Sequence, residues 1–171
     1  LSKLKVDFNQ LVNQLLSLLT EKEQDVIRRR FSLDNKPKET LDRIGQSFNI
    51  TRERVRQIES VALKKLARVS MDPTMRRIHA LAYEILCQHG YVMSEDALVS
   101  EMLKLIDQDQ KVDVNTLKLA MRVSDKLVKQ EKNQFYRAFW RTSDVTLLTV
   151  KSCIKQIQVV LRKNKDVMTV E

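Results

Sequence analysis

Residues that interrupt helices are scarce in this chain. Its 171 residues include only two glycines and two prolines, too few for the many turns of a β-sandwich or a barrel. The sequence therefore predicts a mainly α fold with long helices. No apolar run approaches the roughly 18 residues that cross a bilayer, and polar residues interrupt the segment 1–19 too often for a signal peptide. Because the first residue is Leu1 rather than Met, we expect a fragment of a longer chain.

Cysteine and catalytic patterns are equally sparse. Cys87 and Cys153 lie far apart, which is typical of free thiols in a reducing cytoplasm. Cys87 and His89 have no second ligand pair at zinc spacing, and His79 stands alone among apolar neighbours. The chain has no glycine-rich phosphate loop and no evident carboxylate pair. We therefore expect no enzymatic activity, no metal and no cofactor.

Positive charge is present in excess. The net charge is +9, and it is unevenly distributed along the chain. Residues 1–70 contain 15 Lys or Arg and 9 Asp or Glu, a net charge of +6, whereas residues 71–171 contain 16 and 13, a net charge of +3. Such an excess suits a polyanion such as DNA. Charge alone favours this no more than an ordinary basic protein surface.

Periodicity and capping signals divide the chain into three parts. Residues 1–71 are predicted to form a four-helix unit, with helices over 8–19, from Thr20 to about 31, over 40–48 and over 51–69. Thr20 and Glu23 have the spacing of a capping box. Asp72-Pro73 ends this unit, because proline disfavours helix at the residue before it.

Residues 72–144 are predicted to form a winged-helix-like domain. The pattern gives a helix over 74–89, a short strand over 91–93, a helix over 94–106 and a helix over 115–124 capped by Asn115. A hairpin of 127–130 and 135–140 follows. Its aromatic cluster is interpreted as core packing rather than base stacking: Phe135, Tyr136, Phe139 and Trp140. With 11 Lys or Arg against 11 Asp or Glu, this unit is expected to fold alone and dock on protein, with little DNA affinity.

Residues 145–171 are predicted to be a tail helix or the start of a further module. The periodicity over 145–163 indicates a helix with an apolar stripe. The positions expected to be buried on it are Val145, Leu148, Ile154, Ile157 and Leu161.

The most informative stretch runs from Thr40 to Leu66. A short helix, a tight turn at Asn49-Ile50 and a longer helix with a polar face predict a helix-turn-helix, whose second helix enters the DNA major groove. On a helical wheel, one face of the second helix is apolar: Val55, Ile58, Ala62, Leu66 and Val69. The opposite face carries Glu53, Gln57, Ser60 and Lys64, with Arg56 at its margin. Such side chains can read bases, although solvated helix faces have similar compositions.

This stretch resembles the promoter-reading domain of housekeeping sigma factors of bacterial RNA polymerase. The resemblance is carried by TRERVRQIESVALKKL at 51–66 and by LTEKEQDVIRRRFSLD at 19–34, and it covers residues 19–69. It implies binding to the minus-thirty-five promoter element and to the flap of the polymerase beta subunit. The implied base-reading residues are Arg52, Glu53, Arg56 and Gln57, and the implied backbone contacts are Arg30, Thr40, Leu41 and Lys64.

The sequence departs from the family pattern at three positions. Val61 and Ala67 replace basic residues, and Arg43 replaces an acidic one, which weakens any expectation of activator contacts there. The resemblance favours a divergent sigma factor with an appended module through which a transcription regulator could bind. The first alternative is an adaptor that docks on polymerase without reading DNA. The second is an unrelated repressor, against which the match over 19–34 argues.

Overall fold

The computed structural model describes residues 3–34, 36–68, 72–107 and 112–163. Within these ranges the chain forms eight helices and three short strands, which confirms the predicted mainly α fold. In chain order the elements are α1 Phe8–Ser17, α2 Glu21–Phe31, α3 Leu41–Phe48, α4 Arg52–Ala67, α5 Pro73–Gln88, β1 Val92–Ser94, α6 Glu95–Leu105, α7 Val114–Arg122, β2 Leu127–Gln130, β3 Phe139–Thr142 and α8 Leu147–Lys163.

The helices of the first unit begin where threonine side chains cap them. The predicted capping box is present, since the Thr20 N–H donates to Glu23 Oε2 at 2.9 Å and the Glu23 N–H donates to Thr20 Oγ1 at 3.4 Å. Thr40 caps α3 and Thr51 caps α4 through their hydroxyls alone, which accept from the N–H groups of Arg43 and Arg54. These caps bind N–H groups that the first helical turn leaves without intrahelical partners. Val69, which the sequence placed on the apolar face of α4, lies outside the described residues.

The turn between α3 and α4 depends on a close backbone approach. Asn49 adopts a left-handed conformation with φ of 53°, which asparagine tolerates better than most residues. A Cβ atom added at Gly45 would lie 2.7 Å from the Ile50 carbonyl oxygen, so only glycine fits at this position. Behind the turn, Val26, Ile44 and Val55 are fully buried together.

The second unit has the predicted winged-helix order of helix, strand, helix, helix and hairpin. Its three strands form an antiparallel sheet in the order β1-β3-β2, with Trp140 opposite Met93 on one side and Lys129 on the other. Trp140 and Phe139 are buried, as expected, but Phe135 at the tip of the wing is 81% exposed. The prediction that the aromatic cluster is buried was therefore wrong for Phe135, because this residue lies in the hairpin loop beyond the sheet.

The cap of α7 also differs from the expectation. Asp113 caps this helix by accepting from the Asn115 N–H at 2.9 Å. Asn115 lies inside the helix, and its side-chain amide instead donates to the Ser32 carbonyl at 3.0 Å. The cap thus lies two residues before the predicted position, and Asn115 contacts the first unit instead.

The two units share one hydrophobic core. Helix α7 contacts both α1 and α2, and the buried cluster runs from Leu4 through Leu15 and Leu66 to Leu117 and Trp140. Asp72 caps α5 at the boundary that the sequence indicated, so a new helix does begin at Pro73. The separation into independently folding domains at 71 and 144 stays a prediction, and the shared core is a physical argument against it.

Helix α8 confirms the predicted helix over 145–163, but its burial was predicted wrongly. Leu148, Ile157 and Leu161 are 77%, 58% and 51% exposed, and Ile154 is also exposed. Periodicity identifies an amphipathic helix without specifying what covers its apolar stripe. Among the described residues, no helix is long and apolar enough to cross a membrane.

Candidate nucleic-acid interface

Helix α4 buries one face and leaves its N-terminal polar residues on the surface. Val55, Ala62 and Leu66 are fully buried, because they follow the helical period toward α2 and the shared core. Arg52, Glu53, Arg56 and Gln57 are all exposed. The structure therefore brings the four predicted base-reading residues together on the first two turns of α4.

The side chains of this quartet are held in defined positions. Both nitrogens of a fork on Arg56 donate to the Glu53 carboxylate, at 2.8 Å from Nε and 2.7 Å from Nη2. These hydrogen bonds from Arg56 lower the pKa of Glu53. Gln57 Oε1 accepts from Arg54 Nη1 at 3.1 Å, and Arg52 Nη1 lies 3.8 Å from Asp42 Oδ2. Since these contacts are exposed, each can be exchanged for a contact with a base at little cost.

The four predicted backbone contacts are placed less uniformly. Lys64 is exposed and makes no ion pair with any described residue. Thr40 uses its hydroxyl to cap α3, and Leu41 packs partly against the core behind the turn. Arg30 is bound within the protein, because its Nε donates to Glu59 Oε1 at 3.1 Å and its Nη1 to the Glu39 carbonyl at 2.8 Å.

Ion pairs fix α4 against α2, and the sequence analysis did not identify them. Lys65 Nζ lies 2.7 and 2.8 Å from the two carboxylate oxygens of Glu23, and this bond lowers the pKa of Glu23 despite the opposing effect of burial. Glu59 pairs with Arg30. The sequence does show acidic and basic residues on both helices. It does not show which of them meet, because the partners lie far apart in the chain. These ion pairs hold α4 at a fixed angle, so the quartet is presented rigidly.

The remaining candidates for chemistry are structural. His79 is buried, and its Nε2 lies 2.8 Å from the Ala120 carbonyl. Burial lowers the pKa of His79, so the ring is neutral and donates to that carbonyl. Cys87 and Cys153 are free thiols. Within the described ranges, no group of three or more potential metal ligands occurs.

Most of the first unit matches a known protein family. The family model "Sigma-70, region 4" matches residues 15–68. This segment is a sigma-70 region 4 domain. The match begins inside α1 and ends after α4, and so includes the helix-turn-helix and the exposed quartet.

Individual sigma factors resemble the region 4 domain closely. RNA polymerase sigma factor SigA1 of Synechococcus elongatus is 56% identical over 52 residues, 30% of this chain and 13% of that protein. SigA of Clostridium acetobutylicum is 44% identical over 72 residues, 40% of this chain and 19% of that protein. SigA of Lactococcus lactis subsp. cremoris is 46% identical over 55 residues, 32% of this chain and 15% of that protein. The chain thus spans less than a fifth of the length of these relatives.

Proposed function

We propose that this chain reads the minus-thirty-five promoter element as part of a sigma factor bound to RNA polymerase in the bacterial cytoplasm. One observation carries the proposal: the region 4 domain exposes Arg52, Glu53, Arg56 and Gln57 together at the start of its recognition helix. In sigma factors, region 4 is the part that reads this element during transcription initiation.

The chemistry of these four side chains suits the edges of bases in the major groove. Arginine can donate two hydrogen bonds to guanine, glutamine can pair with adenine, and glutamate can accept from the amino group of cytosine. Glu53 and Arg56 form an exposed ion pair at 2.7 Å, so both charged groups are accessible to a base. Recognition then requires only an exchange of exposed partners and no rearrangement of the backbone.

Contacts to phosphates would place the helix in register on the duplex. We assign this role to Lys64, to the N-terminal turn of α3 at Thr40 and Leu41, and to Arg30. Backbone N–H groups at the start of a helix favour a phosphate. The internal bonds of Arg30 to Glu59 and Glu39 leave its second terminal nitrogen for such a contact.

Two protein partners belong to the proposal. The beta-subunit flap of core RNA polymerase is inferred from the region 4 family. A transcription regulator is proposed to bind the C-terminal part, where Ile154, Ile157 and Leu161 are exposed at the spacing of one face of α8. Clustered apolar groups of this kind are typical of protein-binding surfaces.

The test is to select the preferred duplex from a random library and to compare its binding with that of a scrambled duplex. Arg52→Ala or Gln57→Ala should weaken binding to the selected duplex by about 1–3 kcal/mol and relax the preference at one base pair. Lys155→Ala on α8 is the control and should change neither affinity. Equal losses on both duplexes would show that Arg52 and Gln57 contact only the DNA backbone.

A second measurement on the same protein distinguishes the proposed function from the adaptor alternative. A chain that binds core polymerase but prefers no duplex over the scrambled one would be a docking adaptor. A sigma-type domain should bind core polymerase and retain its sequence preference in the complex.

A further inference from the structure

A basic groove separates α4 from the second unit. It has a volume of about 1290 Å³, and nine of its lining side chains are Lys or Arg whereas four are Asp or Glu. Small-molecule pockets are mostly apolar and enclosed. An open groove with this charge is suited instead to a polyanion.

The first wall of the groove is the flank of α4. Arg52 and Arg56 line it at the N-terminal end, and Lys64 lines it two turns further on. Arg52 and Arg56 therefore belong to both the groove and the base-reading face. DNA bound by α4 would lie directly at the mouth of the groove.

The opposite wall is formed by the second unit. Arg122 at the end of α7 and Lys132 on the wing line it, and neither makes an ion pair with any described residue. Lys118 and Lys129 also line this wall, but Glu95 neutralises them in part through contacts to both ammonium groups. Arg122 and Lys132 are thus the cations of this wall that remain available to a ligand.

Lys38 marks where the two walls come together. Partial burial lowers the pKa of Lys38, and the positive charges of Arg30 and Lys129, one from each unit, lower it further, while the carboxylates of Glu131 and Glu95 oppose the shift. Cations that repel one another across a groove favour an anion between them. The lowered pKa of Lys38 therefore agrees with the charge of the groove lining, which favours an anion.

The two walls are held at a fixed separation. Asn115 on α7 bonds to the Ser32 carbonyl at 3.0 Å, and α7 packs against α1 and α2 in the shared core. The groove is therefore bounded by two units that pack against each other in the folded chain.

We propose that this groove holds the sugar-phosphate backbone of the DNA next to the element read by α4, with Arg122 and Lys132 as phosphate contacts. The inference rests on the proposed DNA-reading function and extends it to the second unit. That unit is near neutral in total charge, but two of its cations that pair with no described carboxylate, Arg122 and Lys132, line the groove where the DNA would pass. Since α7 is packed against region 4, the second unit contacts phosphates without reading bases.

The experiment compares the double variant Arg122→Gln/Lys132→Gln with Lys151→Gln/Lys155→Gln, which removes the same charge from the exposed surface of α8. Both are measured in the full chain against the selected and the scrambled duplex at several salt concentrations. We expect the groove variant to weaken both duplexes alike and to reduce the slope of log K against log salt by about two, with sequence preference unchanged. The α8 variant should match the unmodified chain, and both variants should keep its unfolding midpoint.

Two outcomes would overturn the inference. One is a groove variant with the same salt slope as the α8 variant. The other is unchanged DNA binding together with lost binding of polyglutamate, which would assign the groove to an acidic protein segment. Either result leaves the proposed function standing if the chain still binds the selected duplex more tightly than the scrambled one. The proposed function itself would be wrong if the unmodified chain bound both duplexes equally.

Discussion

Helices α4 and α7 hold equivalent places in their two motifs, since each is the helix that such motifs present to DNA. Their surfaces differ. Helix α4 exposes its N-terminal turns, whereas α7 buries five of its nine residues: Thr116, Leu117, Leu119, Ala120 and Met121. Helix α4 exposes polar side chains on its first turns, whereas α7 packs mainly into the core. The comparison indicates that a winged-helix order of elements does not require its third helix to enter the major groove.

The first prediction concerns packing, where the expected effect is largest. Leu117→Ala in α7 should lower the free energy of unfolding by about 2–5 kcal/mol, because the side chain is fully buried in the shared core. Gln57→Ala in α4 should stay within about 0.5 kcal/mol, since Gln57 is exposed. Urea unfolding of both variants measures this. Similar losses at the two sites would remove the contrast between the helices.

The second prediction concerns how α4 is anchored. The pKa of Glu23 is lowered by its bond from Lys65, so the ionised carboxylate is favoured in the folded state. Its stabilisation is present above the pKa of the unfolded chain, near 4.3, and is lost as pH falls through the lower folded value. Lys65→Met should therefore cost about 1 kcal/mol at neutral pH, and less in acid.

Unfolding curves recorded from pH 6 to pH 3 test this anchoring. Lys155→Met serves as the control because that lysine is exposed on α8. A constant difference between Lys65→Met and the unmodified chain across this pH range would show that the Glu23 pair does not stabilise α4.

The third prediction concerns phosphate contacts and has the smallest effect. Lys64→Ala should reduce the salt slope of DNA binding by about one, without changing stability, because Lys64 is exposed. Arg30→Ala should reduce the slope by a similar amount and should also destabilise the fold, because Arg30 bonds to Glu59 and Glu39. A destabilised Arg30 variant with an unchanged slope would make Arg30 a purely internal residue.

Much of the first unit could be predicted because its signals are local. Thr20, Thr40 and Thr51 each cap a helix within three residues of their own position, and the apolar period of α4 identified its buried face. The quartet itself came from the resemblance to sigma factors, and the same period placed Glu53 and Gln57 opposite the apolar face. Gly45 was missed, since its role depends on the approach of the Ile50 carbonyl rather than on a pattern.

The contacts between the units could not be predicted, because they join residues far apart in the chain. Asn115 reads as a capping residue, but in the structure it bonds to Ser32. Charge counting gave a near-neutral second unit, whereas among the described residues that line the groove from this unit, Arg122 and Lys132 are the cations without an ion pair. Totals of charge contain no information about which side of a fold carries it.

The segment before α1 has a consequence for the dynamics of the groove. The Leu4 N–H donates to the Leu105 carbonyl, and the Asp107 N–H donates to the Leu4 carbonyl, each at 2.9 Å. This short bridge connects the segment before α1 to the end of α6, so separation of the two units there breaks both bonds. Hydrogen exchange at the amides of Leu4 and Asp107 should therefore report how readily the two units separate at this end of the molecule.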